Sequence, residues 1–88
     1  MQYEIAKTLY RKISDARETV AGCNVKKDND VRVYINDALF YAVDNKADEW
    51  IVSNLRTALV MMDKAKTYLE RLPIDDLLCD TLNKMGDY

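Results

Sequence analysis

The stretch ADEWIVSNLRTALVMMDKAKTYLERL, residues 47–72, decides the fold. Its Ile51, Leu55, Ala58, Met62, Ala65, Leu69 and Leu72 recur at alternating spacings of four and three, the repeat of a helix laid along another helix and not of a strand. At about 1.5 Å per residue, a helix over 47–72 is roughly 39 Å long, enough to run the height of a small bundle, so the rest of the chain has to cover it. Asp48 and Glu49 at its start and Lys64, Lys66 and Arg71 towards its end complement the helix dipole, and Pro73 marks its stop. The sequence predicts an all-α fold: a small antiparallel helical bundle with one long central helix, in a single domain over 1–88.

Before this stretch, residues 2–21 read as a helix whose Ile5, Leu9, Ile13, Ala16 and Val20 line one face, with Gly22 as its C-cap. Beside that face runs a second stripe of Tyr3, Lys7, Tyr10, Ser14 and Arg17. It is either a border in which phenol rings and alkyl stems cover the core edge, or a place where rings and charges meet a ligand. The connection 23–30 is polar, and any of Asp28, Asn29 and Asp30 can cap the next helix. Its Lys26 and Lys27 lie between two helix ends, where ammonium groups and backbone amides can converge on one anion; a solvated basic loop is the plainer reading. A calcium loop is rejected, because the glycine and distal glutamate it needs are missing.

Residues 31–43 read as a second helix with Val31, Ile35, Ala38, Leu39 and Ala42 inward, although VRVYI also has strand-like alternation. Val33 and Phe40 fall on nearly the opposite side, and Tyr34 and Tyr41 fill a third sector. A helix apolar on most of its circumference asks for cover on most of it, which so short a chain cannot supply alone. The sequence therefore predicts a homo-oligomer, with Val33, Phe40 and Trp50 as interface residues. After Pro73, residues 74–85 read as a short final helix with Ile74, Leu77, Leu78, Leu82 and Met85 inward.

With 49% hydrophobic residues and only two Gly and one Pro in 88 residues, the composition suits a compact helical domain and argues against disorder. A net charge of −2 weighs against duplex nucleic acid as a partner while leaving room for a local cationic pocket. No apolar run approaches the roughly 20 residues a membrane span needs, so no membrane partner is expected. The charged, amphipathic start MQYEIAKTLYRK is unlike a signal peptide, so Cys23 and Cys79 are expected as reduced thiols in the cytoplasm.

Catalysis has little to draw on. Histidine is absent, which removes the commonest general base and zinc ligand, and glutamate occurs only at 4, 18, 49 and 70, without the paired Glu-x-x-Glu of helical nucleotide pyrophosphatases. Two glycines exclude a glycine-rich phosphate loop. The sequence predicts a binding protein, not an enzyme, with no cofactor and no metal.

The Tyr- and Lys-bearing first helix (KTLYRK, 7–12), the lysine-containing connection (NVKKDND, 24–30) and further helices in so short a chain resemble the phage anti-CBASS protein 2 family, including its members from T4-like phages. The resemblance implies a compact helical oligomer, a hexamer, that sequesters cyclic dinucleotides and cyclic trinucleotides in the host cytoplasm without cleaving them. It implies that Tyr10 stacks on a base and that Lys26 contacts phosphate. Lys7, Arg11 and Lys27 complete the inventory of planes and cations that such a ligand requires. The competing expectation is a small helical inhibitor or adaptor that docks on a host protein through the apolar sectors around Val33, Phe40, Trp50 and Tyr68.

Overall fold

The computed structural model describes residues 1–21 and 28–86. Over these residues the chain forms four helices and no strand: α1 (Tyr3–Ala21), α2 (Asp28–Asp44), α3 (Glu49–Lys64) and α4 (Tyr68–Met85). Each helix packs on two others, α1 and α3 both lying against α2 and α4. The cross-helix pairs give the direction. Arg32 near the start of α2 meets Asp63 near the end of α3, and Asn54 early in α3 meets Thr81 late in α4, so both neighbouring pairs run antiparallel.

The helical faces follow the apolar spacing. In α1, Ala6, Leu9, Ile13, Ala16 and Val20 are buried, while Ile5 is half-buried. In α2 the inward residues are Val31, Ile35, Ala38, Leu39 and Ala42, as the pattern requires, and VRVYI is helical because that face has a core to meet on every turn. Residues 28–30 form the first turn of α2 and do not belong to the connection.

The predicted long central helix is not formed. α3 ends at Lys64, Ala65 takes an extended conformation (φ −77°, ψ 122°), and α4 begins at Tyr68 and carries Pro73 within it. The seam of Ile51, Leu55, Ala58, Met62 and Ala65 is buried throughout, but its apparent continuation is not: Leu69 is 72% exposed and Leu72 is 39% exposed. The break has a local cause. Thr67 caps α4 by accepting from the Glu70 amide (3.3 Å), while the Glu70 carboxylate accepts from the Lys66 amide (3.2 Å) and the Thr67 hydroxyl (3.3 Å). This reciprocal Thr-x-x-Glu arrangement satisfies amides that a new helix leaves open. Pro73 forgoes one bond to the Leu69 carbonyl, which water can satisfy because Leu69 is exposed. Beyond it Ile74, Leu78, Thr81, Leu82 and Met85 turn into the core.

The α2–α3 turn is closed by Ala47 N donating to Ala42 O (2.8 Å) and Lys46 N to Val43 O (3.2 Å), with Lys46 left-handed at φ 53°. That position favours glycine, since a Cβ is crowded there. Lys46→Gly is therefore expected to stabilise the fold by about 0.5–1 kcal/mol and Lys46→Val to weaken it, read as opposite shifts of the urea midpoint.

Among the described residues a polar pair ties each neighbouring interface. Lys12 Nζ meets Asp37 (2.8 Å) between α1 and α2, Arg17 Nε meets Asp75 (3.0 Å) between α1 and α4, Arg32 Nη2 meets Asp63 (2.7 Å) between α2 and α3, and Asn54 Nδ2 donates to Thr81 Oγ1 (3.0 Å) between α3 and α4. Partly exposed ion pairs contribute only about 0–1 kcal/mol each, so burial holds the bundle and these pairs set its register.

Candidate functional site

The stripe on α1 divides in two. Arg17 is committed to Asp75 and Ser14 is half-buried, which fits a polar border between α1 and α4. Towards the start of α1, Tyr3, Lys7, Tyr10 and Arg11 face outward, Tyr10 at 38% exposure. Helical spacing explains the grouping: Tyr10 and Arg11 follow Lys7 by three and four residues, Lys7 and Arg11 lying opposite Leu9 and Ala16 and Tyr10 at the edge of that side. Their charges are available. Lys12, between them and α2, pairs with Asp37 and lies 5.4 Å from the Tyr41 ring centroid, whereas Lys7 and Arg11 have no ion-pair partner among the described residues. A phenol and a guanidinium on either side of an ammonium suit a ligand that carries both a flat ring and negative charge. Lys26 and Lys27, the other expected ligand contacts, lie outside the described residues.

No protein-family model, curated protein or solved structure matches the chain. The resemblance to the sponge family thus stands on the quoted residues alone, and function has to be argued from the chemistry of this surface.

Val33 and Phe40 lie on the outer face of α2, each 64% exposed, with Val43 exposed beyond them. Of the other aromatic residues on that helix, Tyr41 is half-buried against the core. Trp50 differs from Val33 and Phe40: it is half-buried, packs against the core, and carries the Lys84 ammonium 5.8 Å from its ring centroid. Cys79 is a free, half-buried thiol. Among the described residues no group of three or more metal-ligating side chains comes together, and no helix is long and apolar enough to cross a membrane.

A groove that the sequence reading passed over lies between α3 and α4, lined by Asn54, Leu77, Asp80, Asn83 and Lys84. Its signal was present in the spacing: Trp50 and Asn54 stand one turn apart on α3, and Leu77, Asp80, Asn83 and Lys84 share one side of α4. On a lone helix these polar residues read as a solvated face. Only the antiparallel packing of α3 on α4 sets the two rows opposite each other.

Proposed function

We propose that this chain binds and withholds cyclic dinucleotide or trinucleotide signals without cleaving them, acting as a phage anti-defence protein in the host cytoplasm. The observation that supports this most is the exposed group on α1, where Tyr10 and Arg11 flank Lys7 one turn on and neither cation has an ion-pair partner among the described residues. A cyclic dinucleotide presents base faces and two phosphates. Tyr10 serves a base, Lys7 and Arg11 serve phosphate, and Lys26 and Lys27 add charge from the connection. The group is small and open for such a ligand, so a second copy supplies the rest, with Val33 and Phe40 as its contact and a hexamer as the assembly the resemblance implies.

Titration calorimetry with a panel of cyclic dinucleotides and trinucleotides tests the reading, and absence of heat with every member overturns it. Tyr10→Ala is expected to weaken binding by about 1–3 kcal/mol, roughly fivefold to 150-fold, the usual worth of one base–aromatic stack. A second reading is favoured by the apolar outer surface, where Val33, Phe40, Tyr68 and Leu69 are all exposed: an adaptor or inhibitor docked on a host protein. In that case Tyr10→Ala and Lys26→Ala are silent and Phe40→Asp abolishes activity.

A further inference from the structure

The groove between α3 and α4 brings together an unusual set of side chains. Asn54 is fixed in orientation by its bond to Thr81 Oγ1, which is fully buried and itself donates to the Leu77 carbonyl at 2.8 Å. Asp80 and Lys84 stand one helical turn apart, the spacing at which an acid and a lysine commonly pair, yet the lysine lies over Trp50 and Asp80 has no ion-pair partner among the described residues. Asn83 holds the rim through a long contact from its Nδ2 to Cys79 Sγ (3.9 Å). The groove thus offers a carboxylate without an ion-pair partner among the described residues, two amides and the Lys84 ammonium, which lies 5.8 Å from the ring centroid of the neighbouring Trp50.

We infer that this groove binds a guanine base. The argument rests on matching donors to acceptors. A carboxylate accepts two hydrogen bonds side by side, and among the nucleobases guanine alone offers adjacent N–H donors, at N1 and at the N2 amino group. The Asn54 and Asn83 amides can serve its O6 and N7 acceptors. The flat ring stacks on Trp50 in place of the Lys84 ammonium, which is then free to meet a phosphate on the same ligand. Adenine presents an acceptor at N1 to the Asp80 carboxylate and is rejected by it. Trp50, expected from sequence at a subunit contact, stands beside the groove next to Lys84, and the site is distinct in its helices from the Tyr10 group on α1.

Trp50 is the only tryptophan and lies beside Lys84 at the groove, so its fluorescence responds to a ligand that displaces Lys84. Guanosine and GMP are expected to quench it saturably. IMP, which lacks the N2 amino group, and AMP are each expected to bind at least about tenfold more weakly, since a site built for a donor loses heavily when the donor is missing. Asp80→Asn removes the double acceptor at an exposed position and is expected to weaken GMP about tenfold with helical circular dichroism unchanged, while Lys84→Ala retains guanosine binding. Saturable quenching by guanosine, which carries no phosphate, assigns recognition to the base. Equal quenching by AMP, IMP and GMP, competition by ribose 5-phosphate alone, an Asp80→Asn variant that binds normally, or no saturable change up to about 1 mM overturns the inference. Tyr10→Ala is expected to leave guanosine quenching intact, so this site and the α1 site fail independently; loss of quenching in that variant overturns the separate groove.

Discussion

Leu55→Ala is expected to cost the fold about 3 kcal/mol, whereas Leu69→Ala costs less than about 0.5 kcal/mol. Both residues sit on the same four-three repeat, and a continuous helix over 47–72 would bury them alike. They part because α3 stops at Lys64: Leu55 is fully buried in the bundle, while Leu69 projects beyond it. Removing the Leu55 side chain leaves a cavity among Ile51, Ala58 and their partners on α2 and α4; removing that of Leu69 exchanges one exposed apolar group for a smaller one. Marginal domains have only about 5–15 kcal/mol in hand, so the first variant should unfold at markedly lower urea and the second almost where the wild type does. The comparison belongs at one protein concentration, because assembly shifts apparent stability. Equal losses in the two variants would show that the chain runs straight through 65–67.

Phe40→Asp is expected to reduce the assembly. Light scattering coupled to size exclusion should report the wild type at a multiple of 10.2 kDa in the low micromolar range and the variant below it. The physical reason is the outer face of α2. Full burial of a valine or phenylalanine contributes about 1.5–3 kcal/mol, and Val33 and Phe40 each leave nearly two thirds of their surface outside the bundle. A second copy seated on this face would recover much of that, and a carboxylate placed in such a contact would have to be desolvated without a partner. Because Phe40 makes no part of the buried core, the variant should keep its helical circular dichroism. A wild-type chain that is a folded monomer at that concentration removes both the oligomer and any pocket shared between copies.

Most of the fold was legible because apolar spacing alone carries it. The inward rows of α1 and α2, the seam from Ile51 to Ala65 and the row from Ile74 to Met85 all follow from helical period. What misled was a repeat that continued by coincidence through Leu69 and Leu72, together with a proline that seemed to mark an end. The deciding signal was local and polar, a Thr67 three residues before a Glu70, and it outweighs an apolar spacing because it satisfies backbone amides. Lys46 shows the same limit from the other side, since nothing in Asp44-Asn45-Lys46 announces a left-handed lysine.

The surfaces were legible unevenly. Helical period places Lys7, Tyr10 and Arg11 on one outward turn, and it places Val33 and Phe40 opposite Ile35 and Leu39. Which cations are already occupied was not readable: Lys12 and Arg17 look like their neighbours in sequence but are tied to Asp37 and Asp75 on other helices. The α3–α4 groove needed the tertiary packing, because Asn54 and Asp80 acquire meaning only when the two helices face each other.

Equilibrium dialysis of a cyclic dinucleotide against the chain, followed by denaturation and chromatography of the nucleotide, tests sequestration without cleavage most directly. The nucleotide is expected to accumulate on the protein side and to be released chemically intact. Equal nucleotide on both sides of the membrane, or recovery of linear or hydrolysed products, contradicts it.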